Sequence, residues 1–270
     1  MLEGKNLSRS NGGRKIIDNV DVQIEQGEIT VIIGPSGSGK TTLLKLLALL
    51  DKPDCGSISI DGKEFKYGQT NPSPWPEVTC VFQQLFLWPH LTLLENIKLP
   101  QRSKPKIERR SERQGTIIDA EIAAEEQAEE EAAPKAQPER EYRRLEDLIE
   151  IFEMKEFINR YPNEASLGQR QRTALVRALV LQPKYLLLDE ITSSLDVEQI
   201  AVILTYLKRL SHKGIGVMII THLLNFAREA ADKIIFVDSG QIIECGGREV
   251  LDNPQQERVK KFLSVIESAS

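Results

Sequence analysis

Residues 34–41 carry the most specific chemistry in the chain. Gly34, Pro35, Ser36, Gly37, Ser38, Gly39, Lys40 and Thr41 fit the string G-x-x-x-x-G-K-[ST], and Thr42 follows. Glycines in such a loop let successive backbone N–H groups point inward around a phosphate, and a following helix N-terminus adds partial positive charge. Lys40 would reach β- and γ-phosphates, and the Thr41 hydroxyl would ligate Mg²⁺. The string implies nucleoside triphosphate binding. A second acidic centre ends the apolar run from Tyr185, where Asp189 and Glu190 adjoin. Parallel strands present their C-terminal ends on one edge of a sheet, so Asp189 can face the phosphate loop. Asp189 then suits a direct or water-mediated bond to Mg²⁺. Glu190 suits a general base for the attacking water, a role that contributes about 10²–10⁴-fold.

These residues need a strand before the loop, a helix after it and parallel strands alongside. Residues 20–33 alternate apolar and polar, pass Gly27, and end in a β-branched run expected of a strand buried on both faces. Thr42 to Leu50 reads as a helix. Tyr185 to Asp189 and Val217 to Thr221 read as buried strands, and helical patterns at about 167–181 and 196–211 separate them. The alternation predicts a mostly parallel sheet with helical crossovers. Ile234 to Asp238 and Gln241 to Glu244 read as a hairpin about Ser239 and Gly240, and 254–267 as an amphipathic tail helix.

The 270 residues include 35 Lys+Arg and 40 Asp+Glu, a net charge of −5, with 40% hydrophobic residues. That composition suits a globular chain with a sizeable core, and its acidic balance argues against dedicated nucleic-acid binding. The longest apolar stretch, Leu43 to Leu50, has Lys45 inside it and falls far short of the roughly 20 residues that span a bilayer. Glu3, Lys5, Asn6 and Arg9 interrupt any signal-peptide core. Cys55, Cys80 and Cys245 lack metal-ligand spacing and are expected as buried thiols of a cytosolic protein. The stretch 101–141 differs from the rest. It has no aromatic residue, six basic residues in 102–113 and seven acidic ones in 119–131. It reads as a solvated insertion with a helix over 116–133, or alternatively as a partner surface.

Ser166 with Gln169 three residues later forms a capping box at the start of an apolar-periodic helix. The longer string around it resembles the nucleotide-binding subunit of an ATP-binding cassette (ABC) transporter. The phosphate loop, Gln83, the signature over 165–169, Asp189 with Glu190, the run Ser194, Leu195 and Asp196, and His222 follow that family's order and spacing. The resemblance covers nearly all of the chain outside 101–141. It implies an α/β P-loop NTPase fold: a RecA-like parallel sheet with helices on both faces, an N-terminal antiparallel β subdomain and an inserted α-helical subdomain. The implied division is an ATP-binding core over 1–89 and 166–245, a helical subdomain over 90–165, and a helical tail over 246–270.

The resemblance also implies roles. Gln83 would contact Mg²⁺ and the attacking water, and His222 the γ-phosphate. Ser166, Gly168 and Gln169 would close over ATP held by a second copy, and Asp196 would couple the two sites. It implies ATP and Mg²⁺, a homodimer, transmembrane permease subunits, indirectly a periplasmic solute-binding protein, and a position on the cytoplasmic face of the membrane. The segments 82–96, 189–196 and 253–263 are similar to those of bacterial polar amino-acid importers. Two departures stand out. Leu167 replaces the family's glycine in Ala165-Ser166-Leu167-Gly168-Gln169, and no aromatic residue before position 65 can stack on adenine, a role Arg14 would have to take. Both leave open a weakly hydrolysing ATP-binding module or a soluble non-transport ABC ATPase.

Overall fold

The structure, a computed structural model, describes residues 1–67, 74–102, 145–191 and 197–269. The expected helix over 116–133 and the residues Ser194, Leu195 and Asp196 lie outside the described residues. The chain opens with β1 (Leu2–Asn11), β2 (Arg14–Ile24) and β3 (Ile29–Ile33), then α1 (Lys40–Leu47). Next come β4 (Cys55–Ile60), β5 (Lys63–Phe65), β6 (Val78–Val81), α2 (Leu93–Arg102) and α3 (Leu145–Ile151). A 3₁₀ turn at Pro162–Glu164 leads into α4 (Leu167–Leu179), β7 (Tyr185–Asp189), α5 (Val197–His212) and β8 (Gly216–Ile220). The chain finishes with α6 (Leu224–Ala230), β9 (Lys233–Asp238), β10 (Gln241–Gly246), α7 (Glu249–Asp252) and α8 (Glu257–Ala269).

Two sheets result. One is antiparallel with strand order β2-β1-β4-β5; the other has order β10-β9-β3-β8-β7-β6 and is parallel except for the β9–β10 hairpin. All five residues of each of β3, β7 and β8 are buried, so the continuous apolar runs do mark central strands. Their alternate side chains enter two different cores. Val31, Leu186, Leu188, Val217 and Ile219 meet α4, α5 and α6 on one face. Ile32, Leu187, Met218 and Ile220 meet α1 and the antiparallel sheet on the other. Each fully buried aliphatic side chain contributes about 1.5–3 kcal/mol, so this double burial holds the central strands' ends where the site needs them.

Local chemistry sets the segment before α2. Thr92 and Glu95 form a capping box, with Glu95 Oε2 accepting from Thr92 N at 2.8 Å and Thr92 Oγ1 accepting from Glu95 N at 3.2 Å. Asn96 is fully buried; its Oδ1 accepts from Trp88 N and its Nδ2 donates to the carbonyls of Trp88, Leu91 and Thr92. The loop therefore holds its form while Phe86 and Trp88 stay 60% and 52% exposed.

The thiols depart from expectation. Cys55 and Cys245 are exposed, because one opens β4 and the other lies on the outermost strand, β10. Cys80 is partly covered, and its burial pushes the thiol up to about 12.

Candidate active site

Strand register gathers the predicted residues. Ile32 is level with Ile220, Ile220 with Asp189, and Leu188 with Val81. Gly34, His222, Glu190 and Gln83 leave these strands one or two residues later, all at the same edge. Parallel pairing thus brings together four sequence segments that are far apart in the chain.

The phosphate loop is wedged against its neighbours. Gly39 has φ 105°, and a Cβ there would stand 2.6 Å from Ile16 O and 2.8 Å from Ile17 Cδ1. Only glycine fits that combination of left-handed backbone and contact. At Gly240, in the β9–β10 turn, a Cβ would likewise stand 2.5 Å from the same Ile16 carbonyl. Its N–H donates to Ser38 O at 3.0 Å and its carbonyl accepts from Asp18 N at 2.9 Å. The turn that the sequence marks only as a hairpin is therefore a support of the loop.

Lys40 opens α1, is 5% exposed, and its Nζ donates to Gly34 O at 2.9 Å and Pro35 O at 2.8 Å. Burial pushes its ammonium below the ordinary value, and the charges of Glu190 and Asp189 oppose that shift. Thr41 Oγ1 donates to Asp189 Oδ1 at 3.2 Å. Asp189 is 6% exposed; burial lifts its carboxyl above the usual range, with Glu190 adding to the lift and the Thr41 bond, Lys45 and Lys40 opposing it. A buried carboxylate in that condition is stabilised by a cation. Thr41 and Asp189 are hard oxygen donors of the kind Mg²⁺ takes alongside water and phosphate oxygens. Among the described residues no group of three or more His, Cys, Asp and Glu side chains could hold a metal.

Glu190 sits at φ 51°, with its N–H bonded to Ile220 O at 3.0 Å. This left-handed backbone turns its side chain across the strand ends, where Oε1 lies 2.6 Å from His222 Nε2. A carboxylate only accepts, so that ring nitrogen carries the hydrogen. Gln83 is exposed in the bend after β6.

Ser166, Gly168 and Gln169 form a separate cluster at the N-terminus of α4. Ser166 Oγ accepts from Gln169 N at 3.3 Å, and Gln169 Oε1 accepts from Ser166 N at 3.0 Å. The capping box is therefore formed, and the exposed Ser166 hydroxyl keeps its hydrogen for an incoming acceptor. Leu167 is half-buried, and Arg14 is exposed at the tip of the β1–β2 hairpin. Asp196 lies outside the described residues.

Besides the Gly240 turn, sequence reasoning missed two further supports of the site. Gln171 is buried on α4 and its Nε2 donates to Ile191 O at 2.6 Å. The signal was present: Gly168, Gln171, Leu175 and Ala178 share the buried stripe of α4, where a glutamine has to find a partner. Arg177, on the same helix, donates to Leu85 O at 2.7 Å and Phe86 O at 2.8 Å. No pattern in a single sequence identifies those carbonyls as its acceptors.

The chain is similar to known proteins in sequence and in fold. The pattern of the family described as "ABC transporter" matches residues 17–193. The chain is 36% identical to the arginine transport ATP-binding protein ArtM of Bacillus subtilis, covering 98% of this chain and 100% of that one. It is 35% identical to the glutamine transport ATP-binding protein GlnQ of Escherichia coli, with 98% and 100% covered. Among solved structures, it is similar to the dimeric bacterial ABC transporter cassette MJ0796, at 30% identity and TM-score 0.72, covering 92% of this chain and 99% of that one. A dimeric post-hydrolysis state of MJ0796 bound to ADP and Pi matches at 31% identity and TM-score 0.71, with the same coverage. With its phosphate loop, acidic strand end and near full-length relatives, the chain belongs to the ABC transporter family.

Proposed function

We propose that this subunit drives a polar amino-acid importer, hydrolysing Mg²⁺-bound ATP at two sites shared between two copies of the chain. The observation that carries the reading is the convergence of Lys40, Thr41, Asp189, Glu190 and His222 on one sheet edge. The relatives that transport arginine and glutamine support the substrate class.

Backbone N–H groups from Ser36 to Thr42 and the N-terminus of α1 receive the phosphates. Lys40 exchanges its carbonyl partners, Gly34 and Pro35, for β- and γ-phosphate oxygens. Thr41, Asp189 and Gln83 would hold Mg²⁺, which when bound neutralises charge on those phosphates. Glu190 accepts the proton of the water that attacks the γ-phosphorus as the bond to the β–γ bridging oxygen breaks, giving ADP and phosphate. His222 orients the Glu190 carboxylate and faces the γ-phosphate. The Ser166 hydroxyl and the N-terminus of α4 of a second copy, with its Gly168 and Gln169, close over the same phosphate, and Asp196 links the two sites. ATP thereby joins the copies, and hydrolysis lets them part.

Phe86 and Trp88 are exposed, Phe86 meets Phe82 edge to face, and Leu50 and Phe82 line a cavity of 260 Å³ with Trp75, Arg177 and Leu181. Apolar side chains presented on a stiff loop suit a cytoplasmic helix of a permease subunit. No helix among the described residues is long and apolar enough to cross a membrane. The subunit would then sit on the cytoplasmic face, with a periplasmic solute-binding protein acting through the permease. Residues 1–89 and 166–245 would form the ATP-binding core, 90–165 the helical subdomain and 246–270 the tail.

Calorimetry of the full chain with Mg·ATP tests the first step: Lys40→Ala should abolish binding, and unchanged affinity would overturn the phosphate-loop assignment. Glu190→Gln should bind ATP, trap a dimer and lose turnover. The transport reading is tested by arginine and glutamine uptake in proteoliposomes carrying the co-purified permease. ATP-dependent uptake of neither, while the ATPase remains active, would refute the amino-acid reading.

A further inference from the structure

Two backbone groups next to the proposed general base are each held by a different element. The Glu190 N–H donates to Ile220 O, at the end of β8. The carbonyl of the next residue, Ile191, accepts from Gln171 Nε2 at 2.6 Å, and Gln171 belongs to α4. Gln171 and Ile191 are 4% and 1% exposed, so water does not compete for this bond. The amide orientation is dictated by chemistry, because only the NH₂ end can face a carbonyl. Glu190 itself is left-handed, at φ 51°. A non-glycine residue keeps that conformation only when its surroundings impose it, and the Ile220 and Gln171 bonds do so from either side.

The same helix carries Ser166 at its N-terminus, five residues before Gln171. Gly168 also meets α5: a Cβ there would stand 2.7 Å from Gln199 Oε1. We infer that Gln171 is a positioning residue for hydrolysis, tying the attitude of the Glu190 carboxylate to the placement of the signature helix within one protomer. When α4 shifts on meeting ATP held by a second copy, Gln171 carries that shift to the Ile191 carbonyl and so to the base. Gln171 Oε1, buried and without a hydrogen-bond partner among the described residues, is free to accept a donor in the shifted arrangement. The inference rests on Glu190 being the base.

The test uses the purified full chain with Gln171→Met, close in volume but without a donor, and Gln171→Glu, isosteric. For Gln171→Met, kcat should fall roughly ten- to a hundredfold, as expected when a reacting group is misplaced. ATP affinity and KM should stay near wild type, and so should the binding stoichiometry by calorimetry, which an unfolded fraction would lower. Gln171→Glu adds a signature. Its protonated carboxyl can donate to Ile191 O, whereas the ionised form sets two acceptors face to face, and burial favours the protonated form. The ratio of its kcat to that of wild type should rise as pH is lowered from about 9 to about 6. Wild-type kcat in Gln171→Met with normal ATP binding would overturn the inference. Should that variant not fold, the pH ratio of Gln171→Glu decides, and a flat ratio overturns it. Glu190→Gln is assayed alongside. If it still turns over ATP at the wild-type rate, the general-base reading falls and this inference with it. If it is inactive while Gln171→Met is fully active, only the role of Gln171 falls.

Discussion

Two turns in this chain share a backbone but differ in surroundings, which makes one a control for the other. Ser239 and Gly240 join β9 to β10 with φ of 49° and 79°; Asp61 and Gly62 join β4 to β5 with φ of 51° and 79°. A Cβ on Gly62 meets nothing within 4 Å, whereas one on Gly240 meets Ile16 O at 2.5 Å, Ile16 C at 3.0 Å and Ile17 Cα at 3.3 Å. Alanine at either position bears the left-handed penalty of about 1–2 kcal/mol. At Gly240 the clash is with backbone, which cannot rotate away. The turn must back off, straining its bonds to Ser38 O and from Asp18 N. Each such bond contributes about 0.5–1.5 kcal/mol, so Gly240→Ala should cost about 1–3 kcal/mol more than Gly62→Ala. At roughly 2–4 °C per kcal/mol, its melting temperature should lie roughly 2–12 °C lower. Because Ser38 is in the phosphate loop, KM for ATP should rise in Gly240→Ala and hold steady in Gly62→Ala. Thermal melts and steady-state kinetics on both variants read this directly. Equal melting temperatures and equal KM values would refute the idea that the turn braces the loop.

Three further outcomes are expected. Leu167→Gly removes a branched side chain from the entrance to α4, so ATP-induced dimers, counted by light scattering, should become more abundant; no change would mean Leu167 does not hinder approach. Phe86→Ala and Trp88→Ala should leave ATP turnover of the isolated chain intact while weakening permease binding in pull-down titrations, by about 2 kcal/mol each if they act as buried anchors. Lys184 first, then the N-terminal ammonium, hold the Asp61 carboxyl well below the usual carboxylate range. A lowered folded-state value means this stability is present at neutral pH and lost as pH falls below about 4. Asp61→Asn should therefore melt lower than wild type at pH 7, and the gap should close in acid.

What could be read from the chain was local or periodic. The phosphate loop, the acidic strand end and the buried strands announce themselves through glycine spacing, charge after an apolar run, and β-branched continuity. The capping box of Ser166 and Gln169 formed as its spacing requires. The supports of the site were harder to see because they pair backbone with residues distant in sequence. Gln171 to Ile191, Gly240 against Ile16, and Arg177 to Phe86 each depend on tertiary placement. The thiols show the opposite error. Cysteine is often buried, yet Cys55 and Cys245 fall at a strand start and on an outermost strand, where topology and not residue type decides.

Arg177 and Asn96 together have a mechanical consequence. Asn96 removes slack from the loop that displays Trp88, and Arg177 clamps the neighbouring carbonyls to α4. A load applied to the tip of this loop has these bonds as a direct route to that helix. Such a linkage is built as a crank rather than a spring, suited to passing displacement at the outer end on to the helix.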